Sequence, residues 1–164
     1  MITNIYFDWS GTLAYPRTRD IFLNGRTLEE KLSSLYSDVI YTLDYLTNRG
    51  YKLGIISNTS KDKKHILKSL KDTGLIKYFK GTIALSNEKH LCKKGCRQIF
   101  EYSLKNDKIL PQNSIMIGNN YKKDILGSKN IGMWAIFVDR EESTVTSNIA
   151  DLTIKNISDL TKYF

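Results

Sequence analysis

The sequence predicts a three-layer α/β fold: a mainly parallel sheet with helices on both faces. Short apolar runs of strand length alternate along the 164 residues with stretches in which apolar side chains recur every three or four positions. Those stretches are long enough to carry the chain back across the sheet, as parallel connections require. Polar residues follow directly on the ends of three of the runs, which is where an open parallel sheet places a ligand.

Ile2 to Phe7 reads as the first strand. From Thr27 onward Leu28, Leu32, Leu35, Val39, Leu43 and Leu46 mark the apolar face of one helix, which Gly50 ends. Lys52 to Ser57 (KLGIIS) is the next strand, and Ile66, Leu67 and Leu70 mark a second helix with Gly74 at its carboxyl end. A strand around Thr82 to Leu85 precedes a helix from about Gly95 to Leu104. Ser114 to Gly118 (SIMIG) is a strand, Tyr121 to Lys129 a helix, Trp134 to Val138 (WAIFV) a strand, and Asp151 to Phe164 a closing strand and helix.

With 41% hydrophobic residues and no linker, one domain over residues 1–164 is expected. No apolar run approaches the roughly 20 residues of a membrane-spanning helix. The stretch MITNIYFDWSG lacks the pattern of a secretory signal, so a soluble protein is expected. Cys92 and Cys96 suit neither a zinc ribbon nor a disulfide framework and read as free thiols in a reducing compartment. The net charge of +8 implies attraction to phosphate-rich or otherwise acidic partners.

An aspartate before a Gly-Thr turn, as in FDWSGTL (Phe7 to Leu13), is on its own an ordinary turn residue. Its companions are IISNTS (Ile55 to Ser60), KKG (Lys93 to Gly95) and IGNNYKKDILGSKNIGMWAIFV (Ile117 to Val138). Together these four segments resemble the haloacid dehalogenase superfamily of phosphatases and related hydrolases, nearly end to end. The last is the most specific: a glycine, a polar residue, an acid five positions later and then GSKNIGM reproduce that family's GDxxxxD pattern and its continuation. A Rossmann-like fold is thereby implied.

By the same resemblance, Asp8 would be the nucleophile, attacking phosphorus to form an aspartyl-phosphate that water hydrolyses. Mg²⁺ would be held by the Asp8 carboxylate, the Ser10 backbone carbonyl, Asn119 and Asp124, an all-oxygen set of the kind this hard cation prefers. Ser57 and the Asn58 amide would bind the phosphoryl oxygens. Thr12 is a second hydroxyl at the substrate site, where it would stabilise the turn. Lys94 would pair with Asp8 and offset charge on the transferring group. Counting back from Gln98, Ile99 and Phe100 selects Lys94; Lys93 is the rival, because Gly95 stands where the family has proline.

Two positions depart from the family's pattern. Asn119 replaces an aspartate, keeping a carbonyl oxygen but losing a charge, so weaker Mg²⁺ affinity is expected. Ser10 replaces the aspartate that serves as general acid and base, a contribution of about 10²- to 10⁴-fold. A phenolate, with a pKa of about 10, leaves far more easily without a proton than an alkoxide does. Ser10 in this catalytic position therefore points toward aryl phosphates, with phosphotyrosine the biological case.

The spans Leu13 to Ser57 and Thr59 to Lys94 leave no room for a large cap domain, so an open site is expected. An open site favours a phosphorylated macromolecule: a phosphotyrosyl protein first, then a nucleic-acid terminal phosphate or a lipid. Lys61, Lys63, Lys64, Lys89, Lys93, Lys122 and Lys123 make three rim loops basic, and Tyr15 and Phe22 read as core or loop residues, with contact to a substrate ring as the alternative. His65 and His90 receive no role. Ser10 and Asn119 together motivate the alternative of a non-catalytic member that binds an acidic partner. Dehalogenation would need an enclosed apolar pocket that the short spans do not supply. The Lys-, Asn- and Ile-rich composition hints at an AT-rich genome, and a cytoplasmic location is the expectation, with delivery into a host cell as the alternative.

Overall fold

Strand β1 (Asn4–Phe7) lies inside a six-stranded sheet. On one side stand β2 (Lys52–Ser57) and β3 (Ile83–Leu85), on the other β4 (Ser114–Gly118), β5 (Trp134–Val138) and β6 (Leu152–Ile154). The order is β3-β2-β1-β4-β5-β6, and every neighbouring pair is parallel. The computed structural model of the chain describes residues 1–15, 27, 29, 32, 34–59, 63–88, 91–142 and 148–164, apart from the side chain of His65. Phe22, Leu28, Lys61, Lys89 and His90 fall outside the described residues.

Register decides where the chemistry falls. Phe7, the last residue of β1, pairs with Ile55 of β2 and Ile117 of β4. Asp8, Ser57, Asn58, Gly118 and Asn119 therefore emerge together at the carboxyl rim. The strand order reverses between β1 and β4, the switch point at which such sheets hold ligands.

Alternate strand residues face opposite layers. Ile5, Phe7, Ile115, Ile117, Ile136 and Val138 point into one apolar cluster, while Tyr6, Ile56 and Met116 point into another. The first is covered by α1 (Val39–Asn48) and α2 (Lys63–Asp72), through Val39, Leu43, Leu46, Ile66 and Leu70. The second is covered by α3 (Arg97–Asp107), through Ile99, Phe100 and Leu104. Each large apolar side chain buried this way contributes roughly 1.5–3 kcal/mol. Burial on both faces is also why the strands read as near-continuous apolar runs.

The helix expected from Thr27 is not continuous. Helix α1 begins at Val39; ahead of it Leu35 makes an antiparallel bridge with Ala14. Tyr15 N–H donates to the Ser34 carbonyl at 3.0 Å and Tyr36 N–H to the Leu13 carbonyl at 3.1 Å. These backbone groups serve the loop after β1 and so are withdrawn from the helix, although Leu35 keeps its place in the core. The segment expected as a helix from Tyr121 is a π-helical turn, Tyr121–Leu126, running into α4 (Gly127–Lys129). After β6 the chain closes with a 3₁₀ helix, Ile157–Lys162, packed on α1.

A second correction concerns the cysteines. Cys92 and Cys96, expected as free thiols, are joined in a disulfide with Cα atoms 6.5 Å apart. The loop between them folds back through Gly95, at φ 106°, a geometry that spacing alone does not reveal. No large cap stands among the described residues, and none of their helices is long and apolar enough to cross a membrane.

Candidate active site

Asp8 leaves β1 with its N–H donating to the Ile117 carbonyl at 2.9 Å. The chain then turns sharply: Leu13 and Ala14 N–H both donate to the Trp9 carbonyl at 2.9 Å, and Gly11 N–H to the Ala14 carbonyl at 2.6 Å. Gly11 sits at φ +85°, and a Cβ there would lie 2.1 Å from the Asn119 side chain. Glycine alone lets the loops after β1 and β4 meet this closely.

Lys94 occupies the middle of the site. Its ammonium is hydrogen-bonded to Asp8 Oδ1 and, at 2.6 Å, to Asp124 Oδ1. Only 5% of the residue is exposed. Lys94 N–H donates to Asn58 Oδ1 at 2.7 Å, which seats the lysine loop on the end of β2. Ser57 Oγ donates to Asp8 Oδ1 at 3.3 Å. The rival Lys93 is exposed on the rim.

The π-helical turn aims Asp124 inward. Asp124 N–H donates to the Asn120 carbonyl at 2.7 Å, and Asn120 N–H returns a bond to Asp124 Oδ2 at 2.9 Å. Ser128 Oγ donates to the Asp124 carbonyl at 2.6 Å. A Cβ on Gly118 would fall 2.3 Å from Asp124 Oδ2, so the carboxylate lies against bare backbone at the end of β4.

One ammonium is shared by two carboxylates, and the crowding of charge shows at Lys94 and Asp124. Burial alone would lower the Lys94 pKa, but the Asp8 and Asp124 charges outweigh it and hold the lysine above its ordinary value. Asp124 is pushed up to about 6 by its complete burial, with Asp8 adding to the rise and Lys94 opposing it. In an isolated salt bridge the carboxylate would be lowered. With one ammonium between two carboxylates, the site as a whole keeps one negative charge when both acids are ionised.

That residual charge, and the oxygens beside it, fit a divalent cation. The Asn119 amide reaches the Ser10 carbonyl oxygen at 3.0 Å and Asp8 Oδ2 at 3.3 Å. In one orientation its nitrogen donates to both. In the other its oxygen joins them, accepting from Thr12 Oγ1 at 3.5 Å. The second orientation gathers three oxygens with no donor among them, the hard donor set that Mg²⁺ completes with waters. No cluster of three His, Cys, Asp or Glu side chains suited to a metal occurs among the described residues, so carbonyl and amide oxygens are needed.

Thr12, expected at the substrate site, is fully buried with its hydroxyl toward Asn119. It ties two loops together and does not face the rim. Ser10 is exposed, with its carbonyl turned to Asn119. Sequence reasoning missed Arg140, just past the end of β5. Its Nη2 donates to the Thr12 carbonyl at 3.0 Å and to the Asp38 carboxylate at 3.0 and 3.2 Å, and its guanidinium stacks 3.7 Å over Tyr36. The strand-end rule that located Asp8 applies equally there. Beside it a cleft of about 90 Å³ is lined by Gly11, Tyr36, Asn119 and Arg140, and Tyr15 packs on Tyr36 with ring centroids 4.1 Å apart. Of the rim lysines, Lys63 is paired with Glu88 at 3.1 Å, while Lys93, Lys122 and Lys123 are exposed.

The profile of the haloacid dehalogenase-like hydrolase family matches residues 17–138. A glyceraldehyde 3-phosphate phosphatase of Methanothermobacter thermautotrophicus is 37% identical over 120 residues, covering 69% of this chain and 50% of that protein. Pyrophosphatase PpaX of Bacillus pumilus is 30% identical over 164 residues, covering 94% of this chain and 72% of that protein. The chain thus spans about half the length of the first relative and under three quarters of the second. A HAD phosphatase from Thermococcus onnurineus superposes with a TM-score of 0.77 at 24% identity, covering 99% of this chain and 97% of that one. The HAD-hydrolase YfnB of Bacillus subtilis, solved bound to magnesium, gives 0.76 at 15% identity, covering 99% and 98%. At such identities the superpositions speak for the fold alone. Profile, relatives and sheet order agree, and the chain belongs to the haloacid dehalogenase-like hydrolases.

Proposed function

We propose that the protein is a Mg²⁺-dependent phosphohydrolase that acts through an aspartyl-phosphate on Asp8 and prefers aryl phosphates, phosphotyrosyl protein above all. The observation that carries this reading is the buried Lys94 ammonium held between Asp8 and Asp124 at the sheet's switch point. The likeness to proteins named as phosphatases supports the phosphoryl chemistry.

Asp8 attacks phosphorus, a new O–P bond forms, and the bond from phosphorus to the leaving oxygen breaks with its electron pair. Water then cleaves the aspartyl-phosphate, releasing phosphate and restoring the carboxylate. Lys94 and Ser57 fix the carboxylate through Oδ1, so the attacking group need not search for its orientation. The Asn58 amide and Ser57 hydroxyl, both at the end of β2, would receive phosphoryl oxygens. Bound through Asp8, the Ser10 carbonyl, Asn119 and Asp124, Mg²⁺ would offset charge on the transferring group.

Ser10 sets the preference among substrates. With no carboxylic acid beside the leaving oxygen, a group that departs unprotonated is favoured. The cleft lined by Tyr36 and Arg140 next to Gly11 and Asn119 would receive such a ring. An open rim bearing Lys93, Lys122 and Lys123 suits an acidic macromolecule. A phosphoanhydride meets the same leaving-group requirement, and the relative named a pyrophosphatase favours that second reading.

Turnover of p-nitrophenyl phosphate, a phosphotyrosyl peptide, a phosphoseryl peptide and pyrophosphate with Mg²⁺ tests both. The expected order places the nitrophenyl ester and phosphotyrosine far above phosphoserine. Pyrophosphate exceeding both would select the second reading, and no turnover of any would leave the protein as a binding module.

A further inference from the structure

Cys92 and Cys96 stand on either side of Lys94, and nothing in the phosphatase reading uses them. Their disulfide closes the loop that carries the buried lysine, and both residues are half-buried at the rim, within reach of small thiols. Among the described residues, the loop is also tied by the ion pairs of Lys94 with Asp8 and Asp124 and by three hydrogen bonds from its backbone. Leu91 N–H donates to the Glu88 carbonyl at 2.8 Å, Lys94 N–H to Asn58 Oδ1 at 2.7 Å, and Cys96 N–H to the Lys93 carbonyl at a long 3.3 Å. Gly95, between lysine and cysteine, packs against Gly127, where a Cβ would lie 3.4 Å from the Gly95 Cα. The backbone of the lysine loop therefore rests on two neighbours, the end of β2 and the start of α4, with the disulfide as its covalent clasp.

We propose that Cys92 and Cys96 form a reversible redox site whose disulfide holds Lys94 in register with Asp8 and Asp124. A bridge between residues four apart restrains little of the unfolded chain, so its value is local. Its effect falls on the backbone of the loop that presents Lys94. Oxidation by a disulfide such as oxidised glutathione balances as two cysteine thiols plus one disulfide giving the Cys92–Cys96 disulfide and two thiols. Exchange proceeds through a mixed disulfide at one cysteine, which the other resolves. In the reduced form the loop keeps its hydrogen bonds and the ion pairs of Lys94 with Asp8 and Asp124, but Lys94 loses the covalent restraint on the backbone that presents it. Misplacement of a positioning group by about 1 Å can lower a rate on the order of 100-fold.

The effect on rate rests on the phosphatase reading, whereas the redox site and its hold on the loop do not. The whole protein is equilibrated in glutathione buffers of graded ratio and alkylated with iodoacetamide. The peptide bearing both cysteines is then weighed, and amide exchange over residues 91–96 and p-nitrophenyl phosphate turnover are followed in parallel. The expected result is a two-electron transition from two alkylated thiols to none. Exchange over the loop slows in the oxidised form, and kcat falls about tenfold or more on reduction, as positioning losses do. A Cys92→Ser, Cys96→Ser variant should show the reduced behaviour at every ratio. Two alkylatable thiols throughout the series would overturn the proposal, as would a disulfide that forms while exchange stays unchanged. A disulfide that slows exchange in a protein with no turnover in either form keeps the redox site and removes the phosphatase reading. Equal rates in the two forms of an active enzyme remove the proposed hold on Lys94.

Discussion

At Lys94 one side chain carries both the chemistry and the local stability of the site. Lys94→Met would leave Asp8 and Asp124 without their shared cation, and breaking a buried pair in this way costs about 3–5 kcal/mol. The thermal midpoint should fall, and Mg²⁺ should recover more of it than in the wild type. Thermal unfolding with and without the metal reads both, and an unchanged midpoint would mean that the ion pair holds nothing together. Asp8→Asn, nearly isosteric, should abolish turnover while the midpoint stays within a few degrees of wild type. Ser10 is the residue that tunes the substrate. Wild-type rates should drop steeply from nitrophenyl phosphate to phosphoserine, and Ser10→Asp should flatten that slope by restoring proton donation. A wild-type enzyme indifferent to the leaving group would refute the role given to the serine.

In two elements a single residue can be tested. Near the end of α3, Asp107 accepts from Tyr6 Oη at 2.5 Å, Thr82 N–H at 3.0 Å, Thr82 Oγ1 at 3.1 Å and Asn4 Nδ2 at 3.3 Å, and pairs with Lys52 at 3.1 Å. Burial pushes its carboxyl up, but the bonds from Tyr6, Thr82 and Lys52 outweigh this and hold it below the ordinary value. A lowered folded-state pKa contributes stability that is present above the unfolded value of about 3.9 and is lost as pH falls through the folded one. Asp107→Asn should therefore cost about 1–3 kcal/mol at neutral pH, with the gap to wild type closing below about pH 4. Urea unfolding across that range measures it. At the end of β4, Gly118→Ala should fold yet displace the Asp124 carboxylate, since the added Cβ would lie 2.3 Å from Oδ2. Mg²⁺-dependent turnover should fall more than stability does, and full activity would mean that the loop yields freely.

Across the whole molecule, the net charge of +8 and the exposed rim lysines should make association with an acidic phosphopeptide depend on salt. Between low ionic strength and about 0.15 M, where the screening length is about 8 Å, kcat/KM for such a peptide should fall. That for p-nitrophenyl phosphate should change little. Equal salt dependence for both would remove the lysines from substrate recognition.

Much of this fold is legible in the order of the amino acids because strand burial on both faces writes itself as apolar runs. KLGIIS, SIMIG and WAIFV coincide with β2, β4 and β5, and the strand-end rule alone brings Asp8, Ser57 and Asn119 to one rim. Apolar periodicity reports which residues are buried, not which backbone bonds they use. The spacing from Leu32 to Leu46 therefore could not show that Leu35 bridges Ala14 and interrupts the helical run ahead of Val39. Tertiary contact also decided what neighbouring sequence left open. Lys94 is buried and Lys93 exposed because the loop is seated by the Asn58 side chain. Thr12 turns inward because Arg140 and Asn119 arrive from β5 and β4. Cys92 and Cys96 join because the loop between them folds back. Sequence determines the layers, whose burial pattern is local and periodic; the pairings within the site depend on atoms brought together from strands and loops far apart along the chain, and only the folded sheet sets those distances.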